Sequence, residues 1–165
     1  MTKVLAISGS LRKASLNTAI LQTLTSLNQQ MQNDLDITLF EPVDLEAIPH
    51  FNPDRDIPGQ VPESVLKFRS ALIASDIILI SSPEYVGGVA GALKNAFDWV
   101  VSSSDLEVYG KPFALLNISN RATKAYEDLK VIVKTMGGNI IEPASKHIPL
   151  SSNHLSLENM QSNPK

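Results

Sequence analysis

The stretch that decides the fold runs from Ser81 to Val101 and reads SSPEYVGGVAGALKNAFDWVV. It follows an apolar run, Ile77–Ile80, and passes through a turn rich in glycine. Its second half carries apolar residues at helical spacing, namely Leu93, Ala96, Phe97 and Val100. This pattern predicts a strand over Ile77–Ser81, a loop at the carboxyl end of that strand, and a helix. In open parallel α/β sheets, ligands bind at such carboxyl ends.

A second junction of the same kind lies at the N-terminus. Val4–Ser8 is a compact apolar run that predicts a strand buried on both faces. The loop that follows, GSLRKASLN, leads into apolar residues at helical spacing, namely Ile20, Leu24, Leu27 and Met31. Two strand-loop-helix junctions together favour a ligand that resembles a nucleotide.

The rest of the chain repeats this alternation. Three further strands are predicted, at Asp36–Phe40, Phe113–Ile118 and Asn139–Glu142. Helices are predicted over Pro62–Ser75, over Gly91–Val101, and over the stripe of Ala125, Leu129, Ile132 and Met136, which Gly137 and Gly138 stop. We therefore predict one α/β domain over residues 1–165: a three-layer, doubly wound, five-stranded parallel sheet, flavodoxin-like, with strand order 2-1-3-4-5.

Two segments do not follow the alternation. Glu41–Val61 holds four prolines and has no clear period. A loop of about 20 residues in a compact domain is usually functional, so we expect an ordered excursion that covers a site or a partner subunit. The tail from residue 150 to 165 is polar and shows no convincing final helix.

Composition narrows the classes of function. The chain has 165 residues, a formal net charge of −3, 43% hydrophobic residues and no cysteine. These values indicate an ordinary globular protein and give no basic surface for nucleic acid. Without cysteine, a thiol nucleophile is excluded. No signal peptide or membrane-spanning run is evident, so we expect a cytoplasmic protein without membrane insertion.

The first loop, Gly9–Asn17, carries the groups that a terminal phosphate needs. Ser10, Ser15 and Asn17 supply hydroxyl and amide groups, and Arg12 supplies a forked cation. The next helix points its free N–H groups at the same loop. The loop has neither the Gly-Lys-Ser/Thr ending of a Walker A motif nor the G-x-G-x-x-G pattern. Simple helix capping by Ser15 or Asn17 explains the same residues about equally well.

The second and third loops add a flat surface and polar edges. Pro83 fixes the turn after the third strand, and the glycines beyond it let backbone approach a flat ligand. Tyr85 is suited to stack on a ring, although a lone tyrosine is more often partial core. Glu84 has no paired acid or histidine at informative spacing, so we assign it no catalytic role. The third loop offers the polar residues Asn117, Ser119, Asn120 and Arg121, which also suit capping of the next helix.

The remaining histidines and the tryptophan indicate structure rather than chemistry. His50, His147 and His154 are scattered through loops and tail, and none forms a metal-ligand pattern. We therefore predict surface positions for the histidines and no metal site. Trp99 is expected in the core.

These loops resemble those of the NADPH-dependent FMN reductase family, the flavodoxin-like group of flavin, quinone, azo-dye and chromate reductases. The resemblance covers about Lys3–Glu142. The first loop, Gly9-Ser10-x-Arg12-x-x-Ser15-x-Asn17, resembles the FMN-phosphate loop of that family. Ser82-Pro83-Glu84-Tyr85 with the helix after Gly91 resembles its second signature. The chain departs from the pattern at Val86, where many members have Asn, and at Ala90, where many have Pro.

The resemblance implies an FMN-dependent NAD(P)H oxidoreductase. It implies that hydride passes from NADPH or NADH through FMN to a small acceptor such as a quinone, flavin, azo compound or chromate-like oxidant, in a ping-pong cycle. The flavin then carries the chemistry, and no catalytic side chain is required. The implied cofactor-binding residues are Ser10, Arg12, Ser15, Asn17, Pro83, Glu84, Tyr85, Val86, Gly87, Asn117 and Ser119. A homodimer or homotetramer is expected.

Two other functions stay open from the residues alone. A flavodoxin-like electron carrier would share the fold, although such carriers are typically more acidic than −3. A cofactor-free α/β domain that binds another phosphorylated ligand would share the first loop.

Overall fold

The computed structural model describes residues 1–101, 107–119 and 123–149. The predicted polar tail, together with Asn120, Arg121 and His154, lies outside these residues. The strands are β1 (Thr2–Ser8), β2 (Leu35–Phe40), β3 (Ile77–Ser81), β4 (Glu84–Tyr85), β5 (Gly88–Val89), β6 (Pro112–Asn117), β7 (Asn139–Ile140) and β8 (Lys146–His147). The helices are α1 (Leu16–Gln30), α2 (Pro42–Glu46), α3 (Glu63–Ala74), α4 (Gly91–Val101) and α5 (Lys124–Thr135).

The main sheet is parallel and has the order β2-β1-β3-β6-β7. Along the chain, the five main strands come in the order β1, β2, β3, β6 and β7. Numbered in that way, their order in the sheet is the predicted 2-1-3-4-5. A helix follows each of the first four main strands and returns the chain to the amino end of the sheet, as a doubly wound fold requires. The predicted fold class and strand order are confirmed.

The fifth strand differs from its predicted form. The prediction of one strand over Asn139–Glu142 is wrong: β7 ends at Ile140, and a short 3-10 turn, Glu142–Ala144, interrupts the edge. Strand β8 then resumes the pairing with β6. The Ser145 hydroxyl bridges the interruption, because it accepts from the Leu115 N–H at 3.1 Å and donates to the Ile141 carbonyl at 2.9 Å.

Both faces of the sheet are apolar, as in other parallel sheets. The larger core cluster joins the face of Ile7, Ile78 and Leu115 to α3, α4 and α5. The smaller cluster joins Ala6 and Leu116 to α1. Trp99 is fully buried, as predicted.

The predicted helical stripe of α1 is only partly buried. Ile20 lies in the core, whereas Met31 is 68% exposed and follows the last helical residue. Leu24, Leu27 and Met31 line an apolar groove of about 370 Å³ between α1 and the sheet.

The excursion over residues 41–61 is ordered by contacts to α3 and α4. It contains α2 and a 3-10 turn, Pro53–Arg55. The Asn95 carboxamide accepts from the Phe51 N–H at 2.8 Å and donates to the Pro49 carbonyl at 2.9 Å. The Trp99 indole N–H donates to the same Pro49 carbonyl at 2.9 Å.

A buried ion pair fixes the other end of this excursion. The Arg69 guanidinium lies 2.8 Å from the Asp56 carboxylate and also donates to the carbonyl of Trp99. Polar side chains on two helices therefore determine the path of a segment that has no period of its own.

Candidate functional site

Three loops meet at the carboxyl edge of the sheet, because they follow the adjacent strands β1, β3 and β6. From β1 the chain turns to β2 on one side, and from β3 it turns to β6 on the other. The carboxyl ends of β1 and β3 therefore flank the point where the strand order reverses. Ligands of doubly wound proteins bind in the crevice at this point.

The first two loops are packed backbone against backbone. The Gly9 N–H donates to the Ser81 carbonyl at 2.9 Å. A Cβ on Gly9 would lie 2.9 Å from the Ser82 Cβ and 3.2 Å from its Cα, so no larger residue fits. Gly9 is thus required for close approach rather than for a positive φ, and the two loops form one surface.

Short polar side chains hold the first loop in shape. The Ser8 hydroxyl accepts from the Thr18 hydroxyl at 2.8 Å and from the Ser10 N–H at 3.3 Å. The Ser10 hydroxyl accepts from the Arg12 N–H at 3.4 Å. Ser15 caps α1 by accepting from the Thr18 N–H at 3.3 Å. Ser15 therefore does cap the helix, as one of the two interpretations of this loop predicted.

Asn17 connects the first loop to the second. Its carboxamide oxygen accepts from the Ser81 hydroxyl at 2.8 Å, and its side chain is buried. Asn17 therefore does not cap α1. It links the first turn of the helix to the end of β3, across the reversal point.

Some backbone N–H groups and one cation of the first loop are available to bind a ligand. Within the described part of the chain, no carbonyl or side chain accepts from the N–H groups of Lys13, Ala14 and Ser15. These groups stand at the N-terminus of α1, where the helix dipole favours an anion. Arg12 is exposed, and no described carboxylate forms an ion pair with it.

The second loop is a β-hairpin of two short strands. β4 and β5 pair antiparallel through a two-residue turn of Val86 and Gly87, with φ of +52° and +69°. Positive φ at both positions is the type I′ geometry that matches the twist of a hairpin. Val86 is fully exposed and Tyr85 is about half exposed, so the hairpin presents an apolar tip to solvent. Tyr85 is not partial core.

Glu84 has a structural partner that the sequence did not indicate. Its carboxylate oxygen Oε2 accepts from the Ala125 N–H at 2.8 Å, in the first turn of α5. The Glu84 side chain is therefore engaged by the first turn of α5. Pro83, which precedes it, is half-buried.

The third loop is folded by its own first residue. The Asn117 carboxamide oxygen accepts from the Ser119 N–H at 3.0 Å, which makes an Asx turn. In the first turn of α5, the Ala125 N–H is capped by Glu84. His147 lies beside this loop in β8, with its ring against the Ser119 carbonyl. The expectation of a surface position is correct, but assignment of His147 to a loop or tail is wrong.

The described residues show neither a metal centre nor a membrane-spanning helix. They contain no group of three or more His, Cys, Asp or Glu side chains that could hold a metal ion. None of the helices in this part of the chain has the length and apolar character needed to cross a bilayer.

The chain is related in sequence to known proteins. The chain is 40% identical to an NAD(P)H-dependent FMN reductase of Pseudomonas aeruginosa over 117 residues, which are 71% of this chain and 60% of that protein. It is 38% identical to an NADPH:quinone oxidoreductase of Arabidopsis thaliana over 60% of this chain and 49% of that protein. The chain thus spans about half the length of these curated relatives.

A solved structure shares the fold over nearly the whole chain. FerB, a flavoenzyme NAD(P)H:(acceptor) oxidoreductase from Paracoccus denitrificans, superposes with a TM-score of 0.80 at 27% identity. The match covers 96% of this chain and 85% of that one. The family model of NADPH-dependent FMN reductases matches residues 2–149, which include all three loops. The chain therefore belongs to the NADPH-dependent FMN reductase family, with a flavodoxin-like, doubly wound fold.

Proposed function

We propose that this chain is an FMN-dependent NAD(P)H oxidoreductase that reduces a small acceptor of the quinone type. One observation carries the proposal: open backbone N–H groups and an exposed arginine lie together at the carboxyl edge of the sheet, where the strand order reverses. The names of the relatives supply the donor and acceptor classes.

The first loop fits the phosphate of FMN. The N–H groups of Lys13, Ala14 and Ser15 lie at the N-terminus of α1, and Arg12 can add a forked pair of charged donors. Ser10 and Asn17 hold the loop in this shape through hydrogen bonds that are partly buried at Ser10 and fully buried at Asn17. Their hydroxyl and amide hydrogens are the remaining donors for the phosphate. All four predicted phosphate residues, Ser10, Arg12, Ser15 and Asn17, thus keep a role.

The hairpin fits the flat ring system of the flavin. Because the Glu84 carboxylate is engaged by α5, only its backbone is left to meet the ring. Pro83 brings the chain out of the sheet, and Tyr85, Val86 and Gly87 form the apolar tip. Asn117 and Ser119 border the same edge from the third loop.

The chemistry belongs to the cofactor. When bound, FMN supplies hydride transfer between NADPH or NADH and the acceptor, and a single site used in turn by both substrates gives a ping-pong cycle. The protein provides position, an apolar surface at the hairpin and a positive field at the phosphate. No side-chain acid or base is needed, which agrees with the engagement of Glu84 by α5.

Assembly and location are also part of the proposal. We expect a homodimer or homotetramer that works in the cytoplasm on small molecules, without membrane insertion or nucleic-acid binding. The absence of cysteine and the net charge of −3 support this setting. Size-exclusion chromatography with light scattering measures the assembly.

An absorption spectrum tests the proposal. FMN is added to the purified chain, unbound flavin is removed, and NADPH or NADH is added without oxygen. Prompt bleaching of the retained flavin bands, followed by their return on addition of a benzoquinone, is expected. Retained bands that neither nucleotide bleaches would indicate a flavodoxin-like carrier. A protein that retains no flavin would indicate a domain for another phosphorylated ligand.

A further inference from the structure

His147 lies beside the third loop of the site, although 28 residues separate it from Ser119. In β8, Lys146 pairs with Leu116 and His147 pairs with Asn117, so the strand reaches only the last two residues of β6. The Nε2 atom of His147 forms a hydrogen bond with the Ser119 carbonyl. Because a carbonyl oxygen only accepts, Nε2 carries the proton in this contact.

The residue that follows β8, Ile148, supports the third loop with its backbone as well. The Ile148 N–H donates to the Asn117 carbonyl at 2.7 Å. The Asn117 side chain in turn accepts from the Ser119 N–H. The loop is therefore connected to β8 at its first residue by backbone and at its third residue by the imidazole.

The interrupted edge strand explains how His147 reaches this position. The 3-10 turn Glu142–Ala144 takes the chain out of the sheet after β7, and Ser145 replaces part of the lost pairing. The strand then resumes at the carboxyl end of β6, where the third loop begins. An uninterrupted edge strand would instead continue along β6 from β7 in regular register.

We propose that His147 is a positioning residue, which holds the third loop in the conformation that binds the flavin. The inference rests on the proposed function for its ligand. The imidazole acts through the Ser119 carbonyl and needs no contact with the flavin. Without this donor the loop loses its outer support, and Asn117 and Ser119 no longer present their polar groups in one arrangement.

Three single substitutions isolate this contact. His147→Leu removes the donor but leaves the backbone pairing of β8. His147→Gln restores an N–H donor on a side chain of similar reach. Lys146→Leu is the matched control, because Lys146 is the exposed neighbour in the same strand and no described residue pairs with its ammonium.

Hydrogen exchange measures the loop without any ligand. Amide exchange is followed by mass spectrometry on peptides that contain Asn117 and Ser119. We expect faster exchange in His147→Leu than in the parent, and parent-like exchange in His147→Gln and Lys146→Leu. Unchanged exchange in His147→Leu would overturn the proposal, whether or not the protein binds FMN.

FMN titration measures the consequence for binding. Loss of one hydrogen bond corresponds to an increase in the FMN Kd of about three- to tenfold in His147→Leu, with recovery in His147→Gln. Faster loop exchange with an unchanged FMN Kd would also overturn the proposal. A parent protein that binds no FMN would contradict the proposed function instead, and the exchange experiment would still decide whether His147 holds the loop.

Circular dichroism of each apoprotein separates loss of folding from loss of the contact, and His147→Gln tests the contact in a folded protein.

Discussion

The carboxylate of Glu84 accepts a hydrogen bond from the backbone N–H of Ala125 at 2.8 Å, across 41 residues of sequence. The N-cap residue of α5, Thr123, makes no capping hydrogen bond with its side chain. Glu84 therefore satisfies one of the unpaired N–H groups of the first turn and places a negative charge at the positive end of the helix. This hydrogen bond fixes the hairpin after β3 against the helix that follows the third loop.

Removal of this carboxylate is expected to destabilise the fold. Glu84→Ala should lower the free energy of unfolding by about 1 kcal/mol, as loss of a helix cap does. Glu84→Gln keeps an acceptor without the charge and should lose less. Urea denaturation measures both. Glu46→Ala, at an exposed carboxylate of α2, serves as the control. Equal stability of Glu84→Ala and the parent would show that the cap contributes nothing.

The turn of the hairpin should accept a stabilising substitution. Val86 has a φ of +52°, which is unfavourable for a β-branched residue, and its full exposure means that no burial compensates. Val86→Asn should raise the free energy of unfolding by about 1 kcal/mol, because Asn-Gly is the preferred type I′ pair. Val86→Thr keeps the branched shape and should give no gain. A melting temperature of Val86→Asn at or below that of the parent would contradict this explanation.

The strand-loop-helix units were predictable from sequence because their signals are local. The bounds of β3 and α4 match the predicted Ile77–Ser81 and Gly91–Val101, since an apolar run and a helical stripe identify each element. The loops between such elements necessarily fall at the carboxyl edge of a parallel sheet. The position of the candidate site follows from these two facts.

The contacts that shape the site were not predictable, because each joins residues far apart in sequence. The carboxylate of Glu84 finds its partner on α5, and the ring of His147 finds its partner in the third loop. At the interruption of the edge strand, the Ser145 hydroxyl accepts a hydrogen bond from the Leu115 N–H of β6. No local period or propensity encodes such pairs, so they appear only once the fold is known.

Asn95 is expected to hold the excursion over residues 41–61 in place. Asn95→Ala leaves the Phe51 N–H and the Pro49 carbonyl with fewer partners, so the free energy of unfolding should fall by about 2 kcal/mol. Limited proteolysis should then cut within residues 41–61 sooner than in the parent. Lys94→Ala removes only an exposed i,i+4 ion pair on the same helix and is the control. Identical cleavage of Asn95→Ala and the parent would refute this role.

Stability at high pH should depend on Tyr126. Burial raises the pKa of its phenol, and the nearby Lys130 ammonium opposes part of this shift. The folded protein then holds the phenolic proton more tightly than the unfolded chain does. This contribution to stability is complete below about pH 10 and is lost as the pH rises through the folded pKa.

Urea denaturation from about pH 9 to 11 measures this slope. Tyr126→Phe should flatten the decline, whereas Tyr109→Phe, at a largely exposed tyrosine, should leave it unchanged. The slopes are compared rather than the absolute stabilities, because Tyr126→Phe also removes a hydrogen bond to the Ser145 side chain. A decline of equal slope in Tyr126→Phe and the parent would contradict the assignment.

The central claim is that the first loop and the N-terminus of α1 hold FMN by its phosphate, and a paired titration tests it most directly. FMN and riboflavin, which lacks the phosphate, are each titrated by fluorescence into the parent, Arg12→Ala and the control Arg55→Ala, an exposed arginine in the excursion. The parent and Arg55→Ala should bind FMN at least about tenfold more tightly than riboflavin. Arg12→Ala should bind FMN about ten- to a hundredfold more weakly than the parent does, with nearly unchanged affinity for riboflavin. A parent protein that binds FMN and riboflavin equally, or binds neither, would contradict the account.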